Sequence, residues 1–323
     1  MNMVESNEII LANKYILKKK IYDGRYSKVY IGKNKFKNEE VIIKLEDNKY
    51  SNMLQHEANI YLHLMKVKNK IKLNIPSFKF FGIIDKYDYI ILEKMEYSLK
   101  DVIDNPNIII NTNDILKILI QMIDVLKKFH SQNLIHRDIK PENIIFNKKG
   151  KIYLIDFGIS TMYKENIYGY NTTNTYEYKK YLESKGKNKF IGNLIYASTY
   201  VHDGYDYFPK DDLISLSYVI LMLYYKKLPW TIFKYLKNEK LIIENLKKSI
   251  DIIDFYKKYH NNNYEECKKT LFIEIYNFVN NLTYCDEINY NELKNKLLNK
   301  LSKDELDNLY IFSWNKNIIK FEK

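Results

Sequence analysis

The spacing of apolar residues divides the chain into a strand-rich first third and a largely helical remainder. Tyr15-Ile16-Leu17, Val29-Tyr30-Ile31 and Val41-Ile42-Ile43 are short β-branched or aromatic runs, separated by Gly24 and by the polar stretch Lys33 to Glu40. Runs of this kind between turn residues predict strands. From residue 51 to 66 the period changes. Leu54, Ala58, Tyr61, Leu62 and Met65 recur at helical spacing, which predicts an amphipathic helix. Strands return with Phe78-Lys79-Phe80-Phe81 and Tyr89-Ile90-Ile91-Leu92. Residues 114–131 predict a long helix with Ile115, Leu119, Met122, Ile123, Leu126 and Phe129 on one face. Beyond residue 210 the pattern is mostly helical. Its longest apolar run, Leu213 to Tyr225, is broken by Ser215 and Ser217. It falls short of the roughly 20 residues that span a bilayer and reads as a buried helix. A β-rich small lobe thus meets a helical large lobe near Glu93 to Tyr97. The stretch Tyr168 to Lys189 is polar and aperiodic, a long loop. There is no internal repeat.

Composition narrows the class. The 323 residues are 46% hydrophobic and 28% charged, ordinary for a soluble globular protein and far from a disordered, collagen-like or disulfide-scaffold chain. The net charge of +12 would suit an acidic partner, but the lysines scatter along the whole chain. No zinc-finger or RNA-binding signature accompanies them. Cys267 and Cys285 form neither a disulfide framework nor a metal quartet, and fit two free thiols in a reducing compartment. Met1 to Leu11 carries Glu5 and Glu8 and lacks a signal-peptide pattern. The 31 tyrosines, with many Asn, Lys and Ile, look like the imprint of an AT-rich genome.

One segment carries chemistry. Ile135-His136-Arg137-Asp138-Ile139-Lys140-Pro141-Glu142-Asn143 is followed, thirteen residues after Asn143, by Asp156-Phe157-Gly158, which closes the apolar run Ile152 to Ile155. Phosphoryl transfer needs a carboxylate near the attacking hydroxyl and oxygen ligands for Mg²⁺. Asp138 suits the base, and Asn143 and Asp156 suit the metal. Asp-Phe-Gly alone would read as a structural turn; the two motifs at this interval are far more specific.

At these residues the chain resembles a eukaryotic protein kinase. The resemblance implies an α+β, bilobal kinase fold over a single domain, with a small lobe at 14–94, a large lobe at 95–316, and short extensions at 1–13 and 317–323. Val41-Ile42-Ile43-Lys44 matches the strand whose lysine holds the α- and β-phosphates of ATP, and Glu57 would be its partner. Tyr22, Gly24, Ser27, Val29, Ile42, Glu93 and Met95 fall where the nucleotide is held, with Mg²⁺ on Asn143 and Asp156. Lys140, two residues after Asp138, marks the serine/threonine class. His136 is expected to pack and hydrogen-bond, and Asp212 to anchor the catalytic loop from below. Within the family the casein kinase I group, with its vaccinia-related relatives, fits best. Gly192-Asn193-Leu194-Ile195-Tyr196-Ala197-Ser198, Asp211 to Val219, Leu228-Pro229-Trp230 and Ile288 through Trp314 all resemble that group. The implied partners are acidic protein substrates received by Lys179, Lys180, Lys185, Lys187, Lys189 and Lys210, with neither membrane nor nucleic acid. The expected protein is a monomer in the cytoplasm, with the nucleus or a viral factory left open.

The departures keep other readings in view. Tyr22-Asp23-Gly24-Arg25-Tyr26-Ser27 retains only the middle glycine of G-x-G-x-x-G. Ile42 replaces an alanine over adenine. Asn193 replaces a threonine that in the family bonds the catalytic Asp and Lys. Asp156 to Gly192 spans 36 residues, longer than is usual for the group. Besides an active kinase, these features fit a pseudokinase or weak kinase serving as a nucleotide-binding scaffold. A kinase-fold enzyme for a small molecule is the third reading, opposed by the complete helical lobe.

Overall fold

The computed structural model describes residues 8–24, 27–163, 188–231, 238–257, 271–282 and 286–316. The chain forms two compact units. One is Met1–Glu96 with Tyr153–Ile159, and the other is Tyr97–Ile152 with Ser160–Lys323.

The first unit is built on an antiparallel sheet. Its strands are β1 (Ile10–Leu11), β2 (Tyr15–Asp23), β3 (Ser27–Asn34), β4 (Glu40–Asp47), β5 (Phe78–Ile84) and β6 (Tyr87–Glu93), ordered β1-β2-β3-β4-β6-β5. Side chains of a strand alternate between faces, and β4 shows the consequence. Val41 and Ile43 are fully buried and pack with Leu11, Tyr15, Tyr89 and Ile91. Ile42 and Lys44 therefore point to the other face. Helix α1 (Met53–Ile71) starts two residues later than expected and runs five residues further. The buried carboxylate of Glu46 accepts the Leu54 N–H at 2.7 Å, satisfying one of the free amides of the first turn.

The buried stripe of α1 differs from the expected one. Leu54, Glu57, Ala58, Ile60, Tyr61 and Leu64 are inside, whereas Leu62 is 46% and Met65 44% exposed. Counting apolar residues alone misplaces the face, because the helix is turned so that charged Glu57 lies inward. Tyr61 stacks on Phe78 at 5.8 Å and meets Phe157 edge-on at 4.9 Å.

The second unit begins with β7 (Tyr97–Ser98) and α2 (Leu99–Asp104). Then come α3 (Thr112–His130), β8 (Leu134–Ile135), β9 (Ile144–Phe146), β10 (Ile152–Leu154, which runs on into the first unit) and β11 (Thr161–Met162). The helices α4 (Thr199–His202), α5 (Pro209–Tyr225), α6 (Glu239–Ser249), α7 (Ile252–Lys257), α8 (Leu271–Asn280), α9 (Tyr290–Leu298) and α10 (Lys303–Asp307) complete it. Capping boxes start α2 and α3: Ser98 with Asp101, and Asn111 with Asp114. The expected inner face of α3 is buried. So are Leu213, Leu216, Val219, Ile220 and Leu223 of α5. No described helix is long and apolar enough to cross a membrane.

The polar residues buried along α3 hold the last described segment. Asp114 accepts the Ser313 N–H, Lys117 donates to the Ile311 carbonyl, and Gln121 bonds the carbonyls of Gly150 and Leu309. Trp314 stacks on Phe312 at 4.6 Å and meets Phe146 edge-on. Gly150, in the turn between β9 and β10, has φ +74°, and a Cβ there would lie 1.9 Å from the Tyr310 carbonyl oxygen. Gly150→Ala should therefore destabilise the protein. The left-handed backbone alone costs about 1–2 kcal/mol for a residue with a Cβ, and the clash adds to it. Urea unfolding would show the lowered midpoint.

Candidate active site

In the first unit, β4, α1 and the Asp-Phe-Gly turn bring three of the expected residues together. Lys44 Nζ donates to Glu57 Oε2 at 2.8 Å and Oε1 at 3.2 Å, and to Asp156 Oδ1 at 3.0 Å. Glu57 is 2% exposed and Asp156 41%. Burial works against the charge on Lys44, but the carboxylates of Asp156 and Glu57 outweigh it and hold its pKa above the ordinary lysine value. Lys44 thus stays a cation. Burial pushes the Glu57 carboxyl upward, and the Lys44 ammonium opposes that push. The turn is strained at Asp156, whose φ of +68° is rare for a residue with a Cβ.

The same sheet face carries further expected residues. Directly paired strand residues share a face, and Val29 pairs with both Lys44 and Tyr22. Tyr22, Val29, Ile42 and Lys44 are therefore neighbours on one face. The Tyr22 ring covers Gly24: a Cβ on Gly24 would stand 2.7 Å from it. Gly24 N–H bonds the Ser27 carbonyl across the turn. Glu93 and Met95 lie elsewhere. Glu93 ends β6 and is tied through amide and carboxylate to Ser77, while Met95 is buried just beyond.

In the second unit the loop between β8 and β9 holds the other expected residues. Asp138 Oδ2 accepts from Lys140 Nζ at 2.6 Å and Asn143 Nδ2 at 3.0 Å. Asn143 Nδ2 also reaches the Asp138 carbonyl at 2.8 Å. Both side-chain donors fall on one oxygen, so among the described residues Oδ1 of Asp138 has no donor. With its amide nitrogen committed to Asp138, Asn143 has its oxygen as the group to offer a cation. His136 is fully buried, and its Nδ1 accepts the Asp138 N–H at 3.2 Å.

This loop hangs from one carboxylate. Asp212, in the first turn of α5, accepts the N–H of His136 at 2.8 Å and of Arg137 at 2.9 Å. His130 Nε2 bonds the same carboxylate at 2.9 Å, and its Nδ1 bonds the Tyr290 hydroxyl. Burial alone would raise the Asp212 pKa. The bond from His130, the nearby His136 ring and the backbone donor hold it below the usual range. Arg137 has φ +69°, a conformation this anchoring sustains.

One departure takes a definite form, and one expectation, at Lys210, needs correction. Asn193, which stands where the family has a threonine, bonds locally: its Oδ1 accepts the N–H groups of Ile195 and Tyr196 at 2.9 and 3.3 Å. A short amide side chain readily bonds backbone two residues on, and here that local turn wins. Lys210 is 5% exposed, donates to the Leu282 carbonyl and lies over the Tyr200 ring. Its charge is spent inside the fold and cannot receive a substrate. Lys189 is exposed. Lys179, Lys180, Lys185, Lys187, most of the expected long loop, and both cysteines lie outside the described residues.

His130 and Tyr290, which brace Asp212, were not readable as functional. His130 closes an amphipathic helix as an ordinary polar end, and nothing in the sequence joins it to residue 212. If the loop hangs from Asp212, Asp212→Asn leaves one carbonyl oxygen for two buried amides. An unsatisfied buried donor costs about 1–3 kcal/mol. Hydrogen exchange at His136 and Arg137 should accelerate, while the α1 amides exchange as before.

A family model described as the protein kinase domain matches residues 15–304. Members transfer phosphoryl groups to protein substrates and use ATP with Mg²⁺, and with the Lys44–Glu57–Asp156 cluster and the Asp138 loop now in place, this chain belongs to the protein kinase family.

Proposed function

We propose that the protein is a serine/threonine protein kinase of the casein kinase I kind, using Mg-ATP. The observation that carries this is the Asp138 carboxylate: one oxygen held by Lys140 and Asn143, the other without a donor among the described residues. A base is poised when one oxygen is fixed and the other can take a proton. Asp138 Oδ1 takes the proton of a serine or threonine hydroxyl as that oxygen attacks the γ-phosphorus and ADP leaves. Lys140 steadies the carboxylate, and its place two residues after the base supports the serine/threonine class. Lys44, kept cationic by Glu57 and Asp156, takes the α- and β-phosphates. The carboxylate of Asp156 and the amide oxygen of Asn143 are hard donors suited to Mg²⁺. Mg²⁺ held there would supply positive charge against the negative charge that develops in the transfer. The casein kinase I assignment rests on the Gly192–Ser198, Asp211–Val219 and Leu228–Trp230 segments.

Asp138→Asn keeps size and loses the base. Turnover on casein should fall roughly 10²–10⁴-fold, while Mg-ATP raises the melting temperature of variant and wild type alike. Wild-type turnover in this variant would remove Asp138 from the role. Lys44→Met should abolish both transfer and the Mg-ATP shift, since it strips the phosphate-binding cation and strands buried Glu57.

One observation favours a second reading, a weak kinase or nucleotide-binding scaffold. The Tyr22 ring lies over Gly24, the position whose lack of a side chain lets a phosphate approach the backbone. Tyr22→Gly separates the readings. A weak kinase gains turnover when the ring is removed, whereas a competent one changes little.

A further inference from the structure

The turn Gly192–Ser198 belongs to no helix or strand, and its polar backbone is held by side chains from elsewhere. Tyr207 Oη donates to the Ile191 carbonyl at 2.6 Å, and Trp230 Nε1 to the Ile195 carbonyl at 2.9 Å. Ser198 Oγ donates to Asp211 Oδ1 at 2.6 Å. Beside the local bonds of Asn193, two carbonyls of the turn are held by Lys247 of α6, which is 5% exposed. Its Nζ lies 2.7 Å from the Leu194 carbonyl, 2.7 Å from the Ala197 carbonyl and 3.2 Å from His202 Nε2. Burial pushes the Lys247 pKa well below the ordinary lysine value; an amine keeps at least two N–H donors in either state, enough for the two carbonyls. The rings of Trp230 and Tyr218 flank it at 5.1 and 5.2 Å, which favours the charged form against that burial.

His202 lies in the same buried cluster. Its ring stacks on Phe190 at 4.9 Å, and its Nδ1 faces Glu244 Oε1 at 3.4 Å. Burial, then the Lys247 charge, lower its pKa to about 3, so it is neutral at physiological pH. Its Nε2 stands 3.1 Å from the Leu194 carbonyl oxygen as well as 3.2 Å from Lys247 Nζ, so the ring, the lysine and that carbonyl form one cluster.

A buried cation is expensive, and an apolar side chain would fill the same space without desolvating a charge. What a lysine adds is shape: it fixes two carbonyls three residues apart at one point. The turn so fixed borders the proposed base. A Cβ on Gly192 would lie 3.0 Å from the carbonyl oxygen of Arg137, the residue before Asp138. A polypeptide presenting a hydroxyl to Asp138 would therefore have this turn beside it.

We propose that Lys247 is a positioning residue for the acceptor protein, with His202 as its support: it sets the shape of Gly192–Ser198 against which the polypeptide lies. The role rests on the transfer proposed above. Lys247→Met is the test, with casein and ATP varied separately. Losing a buried bond to each of two carbonyls should raise KM for casein by about tenfold or more. KM for ATP and casein-independent ATP hydrolysis should stay unchanged. Equal loss in both substrates, or no change in either, would overturn the role. Hydrogen exchange supplies a readout independent of catalysis. Exchange in peptides covering 193–198 should accelerate in Lys247→Met while those covering 136–143 stay as in wild type, and unchanged exchange at 193–198 also overturns the role. If wild type transfers no phosphate to any protein while the exchange difference appears, the kinase reading fails and the control of the turn stands. Should Lys247→Met not fold, Lys247→Arg replaces it, because a planar fork does not reproduce a single nitrogen placed among these groups; it must show the same KM split.

Discussion

The irregular backbone around Asp138 depends on the buried carboxylate of Asp212. A loop outside helix and sheet has no ladder to take its amides, and buried amides without partners are costly. Asp212 meets this from the first turn of a helix buried on nearly every side, so its position is that of the core itself. Two amides, one of them from a residue with left-handed φ, converge on it. His130 and Tyr290 brace it from behind. The rigidity of α5 thereby becomes the rigidity of a loop with no regular structure.

The Lys44 cluster solves a different problem. Here the difficulty is keeping charges in a poorly solvated place, and the solution is mutual: one ammonium lies between two carboxylates. Glu57 is nearly inaccessible while Asp156 is partly open, so the interior carboxylate fixes the lysine and the outer one remains able to bind something else. The orientation of α1 follows from this pairing, since the helix turns Glu57 inward, toward the strand that needs it.

Much of this was legible in the sequence, for reasons that differ by residue. Strand runs and the long helices announced themselves by period, because burial on one face writes a repeat into the chain. Asp138, Asn143 and Asp156 stood out because the chemistry proposed for them needs fixed types at fixed spacing. The α1 face was misjudged at Leu62 and Met65 because a buried charge does not count as apolar. Lys210 was expected at the surface, and Lys247 was indistinguishable from the many other lysines. Burial of a cation is decided by partners distant in sequence, such as the carbonyls of Leu282, Leu194 and Ala197, and a carbonyl has no residue type. Asn193 was legible as a departure from a bonding threonine, but the choice between a local turn and a distant partner is settled only by geometry.

The way α3 holds residues 309–314 bears on how the chain is made. Gln121 and Lys117 bond carbonyls 188 and 194 residues further along, and Trp314 completes the aromatic stack around Phe146. On a ribosome, α3 emerges long before these partners exist, with buried polar groups still facing water. These contacts of the second unit therefore form only once residues 309–314 have been made. Until then the apolar surface that Phe312 and Trp314 cover stays open to water, the kind of transient exposure that favours aggregation.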